Sequence, residues 1–335
     1  MESPPRPRAP RLTAARGRNP PRQGRTGAGD RLEPAPWVVS PPVEDTPSRR
    51  RRGRPAPRPA ADEPARPRRP PTRETMARVG VAIPWIGFAI VIVALGGIPF
   101  AVAMIGIAVV GIAELFRMTR RFHPLAPVAF AAAAALVIAA YYGGQFQMMI
   151  VLAASFPVMF LLAALRGREE GTTTAVAVTL LGIVWIGLPF AHAVLLRQLP
   201  LHGGALVIDV LVATFLTDTA AYAGGRLFGR HPLAPTLSPN KTIEGLAFGF
   251  VGGTLGFWFA GLYQDWLPGI DALVMGMCIA VVAPMGDLFE SMIKRDLNIK
   301  DTGNVFGPHG GLLDRLDALL FTIVIGYYLA VALIY

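Results

Sequence analysis

Lysine is nearly missing from this sequence, with three residues at positions 241, 294 and 300 against 29 arginines. Cysteine occurs once, as Cys278 in an apolar run, which excludes an intrachain disulfide and leaves packing as its role. Charge is absent from Val79 to Ala113, from Pro124 to Leu165 and from Thr172 to Leu196. Runs of that length, in a chain 53% hydrophobic and 16% charged, exclude a soluble globular protein and point to an integral membrane one.

What is present is segregated. Residues 1–75 hold 18 arginines, 18 prolines and 8 acidic residues, so the formal net charge of +10 belongs to this segment, and the remainder balances 14 basic against 14 acidic groups. The basicity is therefore no sign of nucleic-acid binding. Stretches such as "PSRRRRGRPAPRPAADEPARPRRPP" cannot bury enough apolar surface to offset the entropy of ordering, so a disordered arm is expected, either a spacer, a contact for anionic lipid, or residues upstream of a start at Met76. No apolar core of signal-peptide type occurs in it.

The uncharged runs predict an all-α polytopic membrane domain, residues 76–335, with about nine transmembrane helices. Val79–Ala113 reads as a helical hairpin broken at "GGIPF", Pro124–Leu165 as another broken at "YYGGQFQ", and Thr172–Leu196 as one span. Four more are expected at Gly204–Ala223, Gly245–Tyr263, Leu267–Leu288 and Leu312–Tyr335. Basic residues then alternate by side: Arg117, Arg120, Arg121, Arg166, Arg168, Arg226, Arg230, Lys241, Lys294, Arg295 and Lys300 fall on one face and Arg197 on the other. By the retention of Lys and Arg inside, the N-terminus is expected in the cytoplasm, the C-terminus outside, and the stretches 218–244 and 287–311 together on the cytoplasmic face.

All three lysines lie in those two stretches. In an arginine-rich chain a retained lysine hints at a need for a compact ammonium, although cytoplasmic loops favour lysine in any case. The first stretch runs from Asp218 through Gly224, Gly225 and Gly229 to "SPNKT", Ser238 to Thr242, where hydroxyls flank Lys241 next to Asn240. Such a set suits phosphate oxygens, while the commoner use of Ser238 and Thr242 is to start a helix with Glu244 in its first turn.

In the second stretch Asp287, Glu290, Ser291 and Lys294 share one helix face. Pairing explains Glu290 with Lys294, but Asp287 follows uncharged "AVVAPMG" at membrane depth, where a carboxylate is expensive and usually functional. Farther on, "GPHGG" offers backbone without side chains ahead of a helix whose free N–H groups attract anions, phosphate being the natural guest. Asp314 and Asp317, three apart, can hold a divalent cation against that phosphate, with Asp287 and Glu290 as further carboxylates from the neighbouring span. His309 can act as acid, base or phosphate donor, or as a plain hydrogen-bonding group. Asp209, mid-span, needs a partner or water; neither it nor Glu114 is assigned a chemical step.

Ser291, Lys294, Arg295, Lys300, Asp301, Gly303, His309, Gly310, Gly311, Asp314, Arg315 and Asp317 stand at the spacings of the signature of phosphatidate cytidylyltransferase, or CDP-diacylglycerol synthase, and the chain resembles that family from about Met76 onward. The segment "DTAAYAGGRLFGRHPLAPTLSPNKTIEG" resembles its other cytoplasmic segment. The resemblance implies a multi-pass cell-membrane enzyme that joins CTP to phosphatidic acid, releases pyrophosphate and requires magnesium, with its active site on the cytoplasmic side. It further implies that Asp218, Ser238, Asn240, Lys241, Thr242, Ser291, Arg295, Lys300, Asp301, Gly310, Gly311 and Arg315 meet the nucleotide, and that Asp287, Lys294, His309 and Asp314 serve catalysis. A second copy of the chain is a candidate partner. The alternatives are a related CTP-dependent enzyme, a polyprenol kinase or an ether-lipid cytidylyltransferase, and, less well, an ion-coupled transporter using Asp209 and Asp287. CDP-alcohol phosphotransferases are disfavoured, since no Asp-Gly-x-x-Ala-Arg segment occurs.

Overall fold

The computed structural model describes residues 73–167, 170–299, 302–303 and 310–335, with side chains from Pro84 onward. Of the expected arm, residues 1–75, the first 72 lie outside them and the last three open the first helix. Helices α1 (Arg73–Leu95) and α2 (Gly97–Met118) part at Gly96 and Gly97, whose φ of 59° and 53° suits glycine alone at low cost. Helices α3 (Ala126–Tyr142) and α4 (Gln145–Leu165) part at Gly144, φ 93°. Both breaks fall where the sequence predicts them.

The span Thr172–Arg197 consists of α5 (Thr172–Leu181), a π-helical turn at Gly182–Gly187 and α6 (Leu188–Arg197). Pro189 has no N–H for the carbonyl one turn earlier, a physical reason for the widened turn before it. There follow α7 (Gly203–Phe228), a hairpin of β1 (Pro232–Ala234) and β2 (Ser238–Thr242), then α8 (Ile243–Ala260), α9 (Gly269–Asp296) and α10 (Leu313–Leu333).

Among the described residues, seven helical segments are long and apolar enough to cross a membrane, and Pro84–Leu95 and Ala126–Tyr142 are shorter apolar helices. The chain is a helical multi-pass membrane protein. In α4 only 17% of the most apolar stretch is buried, and Phe146, Met149, Phe156 and Phe160 point outward, which lipid tolerates and water does not. Ile112, Leu115, Leu136, Ile183, Ile186 and Leu206 fill the centre between α2, α3, the π-helical turn and α7.

Two local features depart from the sequence reading. Residues 218–228 belong to α7 rather than to a loop, because Ala220, Ala221 and Thr217 pack on the glycine face of α8, where a Cβ at Gly249 or Gly253 would meet Ala221 or Thr217. The segment 232–242 is an antiparallel hairpin, pairing Pro232 with Thr242 and Ala234 with Ser238, so a small sheet interrupts the all-α design. Glu244 pins it to α8 by accepting the N–H of Arg230 at 3.0 Å, the N–H of His231 at 3.2 Å and a contact from His231 Nδ1 at 2.6 Å.

Candidate active site

One end of the bundle collects the ends of α2, α7 and α9, the starts of α8 and α10, and strand β2. Helices α9 and α10 touch at Gly286, where a Cβ would collide with the carbonyl of Asp317 and lie 3.0 Å from Ala318 Cα. That contact brings Asp287, Glu290 and Asp317 together: one oxygen of each lies within 4.8 Å of the other two. Glu290 is 1% exposed, and its Oε1 has no donor. Asp218 on α7 lies within electrostatic reach of Asp287 and Asp317.

Two lysines border this group. Lys241 Nζ, from β2, stands 2.5 Å from Asp287 Oδ2, with side-chain exposures of 24% and 34%. Lys294 bridges the helices, donating to Glu290 Oε2 at 2.7 Å and to Asp314 Oδ1 at 2.8 Å. The other Asp314 oxygen accepts Thr302 N–H at 2.9 Å, Thr302 Oγ1–H at 2.9 Å and Gly311 N–H at 2.8 Å. Gly310, φ 87°, makes this turn possible, since a Cβ there would sit 2.9 Å from Asp314 Oδ2.

Of the four carboxylates read as one cation set, the structure groups Asp287, Glu290 and Asp317. It leaves Asp314 outside, its oxygens committed to Lys294 and backbone donors. The N–H groups expected to be open to phosphate at the start of α10 are also engaged, Gly311 with Asp314 and Leu312 and Leu313 with Glu114. Carboxylates of the chain itself pre-empt an anion there. Thr242 caps α8, its Oγ1 accepting Gly245 N–H at 3.1 Å, and Gly225 and Gly229 pack against that threonine. Ser238 is half-buried and Asn240 exposed on β2; Ser291 is half-buried beside Glu290. Exposed Arg295 holds the hairpin to α9 through the Leu237 carbonyl at 3.2 Å, and Arg315 is exposed on α10. Lys300, Asp301 and His309 lie outside the described residues.

Glu114, given no step from sequence, proves to be fully buried against the first turn of α10. The available signal was its place at the end of an uncharged run of two-span length; its partner, 198 residues away, was not legible.

The donor set is all oxygen, with one buried oxygen lacking a donor, and this fits a hard divalent cation such as magnesium, which Asp287, Glu290 and Asp317 would hold.

The fold and site define a polytopic membrane protein with an acidic, cation-competent site at one end of its bundle. A family model described as the cytidylyltransferase family matches residues 76–333, and the chain belongs to that family. It is 35% identical over 178 residues to the phosphatidate cytidylyltransferase of Bacillus subtilis, covering 52% of this chain and 66% of that protein. To the Mycobacterium tuberculosis H37Rv protein of the same name it is 40% identical over 146 residues, 43% of this chain and 44% of the relative. To that of Helicobacter pylori it is 43% identical over 119 residues, 36% of this chain and 44% of the relative. In each case the match spans less than two thirds of the relative's length.

Proposed function

We propose that this chain is a phosphatidate cytidylyltransferase: it joins CTP to phosphatidic acid, giving CDP-diacylglycerol and pyrophosphate for phospholipid synthesis. The observation that carries this reading is the Asp287, Glu290 and Asp317 group at one end of an apolar bundle, with Lys241 beside it and partly exposed. A soluble polyanion and a lipid headgroup can both reach such a place.

A phosphate oxygen of the lipid attacks the α-phosphorus of CTP in line; a new P–O bond forms, the α–β bridging bond breaks, and pyrophosphate leaves with that electron pair. No covalent enzyme intermediate is needed, so the protein chiefly positions two anions and offsets their charge. Lys241, paired with Asp287 beside the group, offers its ammonium to phosphate oxygens. Lys294 fixes Glu290 and Asp314 across the α9–α10 seam and so keeps the carboxylates in register. Magnesium, when bound, supplies charge neutralisation at the transferring phosphoryl group.

The same reading places nine spans in the cell membrane, with the N-terminus and the site in the cytoplasm and the C-terminus outside. Arg117, Arg120, Arg121 and Arg166, with Arg226, Arg230, Lys241, Lys294 and Arg295, support that orientation, and Arg197 at the opposite end opposes it. The assembly is proposed to be a homodimer.

Purified protein in detergent, given CTP, phosphatidic acid and magnesium, is expected to yield CDP-diacylglycerol and pyrophosphate in equal amounts. Failure with phosphatidic acid alongside turnover of a polyprenol or an ether lipid would reassign the substrate.

A further inference from the structure

Helix α10 begins without a cap of its own, because Leu312 holds the N-cap position and has no side-chain acceptor. The acceptor arrives from α2. Buried Glu114 takes the Leu312 N–H on Oε1 at 2.9 Å and the Leu313 N–H on Oε2 at 3.0 Å. Thr302 Oγ1 lies 3.5 Å from the same Oε2 while donating to Asp314 at 2.9 Å. Two glycines complete the enclosure: a Cβ on Gly303 would fall 2.8 Å from Glu114 Oε1, and one on Gly311 would fall 2.7 Å from Oε2.

We propose that Glu114 is a positioning residue of the transfer reaction, clamping residues 302–303 and the first turn of α10 so that Asp314 and Asp317 meet Lys294 and the α9 carboxylates in register. The inference rests on the reaction proposed above. A local Ser or Asp at position 312 would cap the helix without burying a remote carboxylate, which is costly to desolvate. What the remote cap adds is a fixed position of α10 relative to α2. The groups it holds, the N–H groups of Leu312 and Leu313, immediately precede Asp314, and Thr302, which packs against it, donates to Asp314. Gly111, one turn before Glu114, removes the remaining slack, since a Cβ there would sit 3.3 Å from Leu313 Cδ2. Misplacement of a reacting group by about 1 Å is enough to cost large factors in rate.

The test is Glu114→Gln, which keeps the shape but turns an NH₂ toward one of the two backbone N–H groups. Turnover is expected to fall about thirtyfold with the CTP KM within about twofold of wild type, in the range for residues that orient a metal site. Mn²⁺ titration without nucleotide, followed by electron paramagnetic resonance, is expected to show about tenfold weaker binding. A lower melting temperature with wild-type turnover and wild-type Mn²⁺ binding would reduce Glu114 to a plain structural cap and overturn the proposal. If the Gln variant does not fold, Glu114→Asp carries the test: loss in both readouts supports the clamp, and wild-type values in both overturn it. Should the wild-type protein bind Mn²⁺ yet leave phosphatidic acid and CTP unconverted, the reaction is wrong, and a weakened Mn²⁺ site in Glu114→Gln still supports the clamp.

Discussion

Two groups of carboxylates lie side by side at the start of α10, and the chain treats them differently. Glu114 and Asp314 are supplied with donors: two backbone N–H groups for the first, and an ammonium, a hydroxyl and two backbone N–H groups for the second. Asp287, Glu290 and Asp317 crowd together with a lysine at either side and a Glu290 oxygen that nothing donates to. Carboxylates fully matched by donors build structure, whereas like charges crowded together with an incomplete set of donors raise the energy of the fold until a cation or proton arrives. On the function proposed above, the first group is architecture and the second holds the cation. Substitutions should therefore separate stability from turnover.

The sharpest break comes at Asp317. Asp317→Asn removes one charge from the crowded group while keeping its shape, so turnover is expected to drop by at least about a hundredfold. Folding should be unharmed or improved, because the repulsion with Asp287 and Glu290 is relieved. A steady-state assay beside a thermal melt checks both. Normal turnover in this variant would remove Asp317 from the site.

Asp314→Asn should behave in the opposite sense, losing stability and turnover together. With its oxygen in the place of Oδ2 the amide still accepts from both Thr302 and Gly311, but its NH₂ then faces the Lys294 ammonium, which is left with Glu290 alone. A loss of about 1–3 kcal/mol is expected from breaking a charge-assisted buried set, with turnover down about tenfold. A melting temperature equal to wild type would show that those hydrogen bonds contribute nothing. Lys241→Met is expected to be milder still: a CTP KM raised about tenfold, with stability changed by less than about 1 kcal/mol, as for an ion pair near the surface. An unchanged KM would assign Lys241 to membrane orientation alone.

How much of this was legible in the sequence follows from the range of each interaction. The helix breaks at Gly96 and Gly144 were readable, since glycine pairs between uncharged runs act locally. So were Asp287, Glu290 and Lys294 on one face, which needs only the helical period. Of the four carboxylates expected to share a cation, the structure brings three together: Asp314 and Asp317 share a helix face, and spacing does not say which will be taken by Thr302 and Gly311. Those donors sit against Glu114, which comes from a distant helix. Likewise the open N–H groups expected before α10 are closed by a residue on α2, and the hairpin at 232–242 is held by Glu244, whose role as its anchor no local propensity reveals.

The smallest effect is expected at Asp209, and it tests whether burial alone marks a carboxylate as functional. Asp209 is 3% exposed on α7, and Gln264 Nε2 reaches both of its oxygens at 3.1 Å, while Gln264 Oε1 has no donor. An asparagine at 209 would still accept from Nε2 and could offer its own N–H to that waiting oxygen, making a reciprocal amide pair with no charge to desolvate. Replacing a poorly compensated buried charge with a neutral isostere is commonly neutral or stabilising. Asp209→Asn is therefore expected to leave turnover within about twofold of wild type and to raise the melting temperature by a few degrees, about the shift that 1 kcal/mol gives in a chain of this size. A tenfold loss of turnover in a well-folded variant would mean that the charge itself works. That result would revive an ion-coupled role for Asp209, away from the carboxylates grouped at the α9–α10 seam.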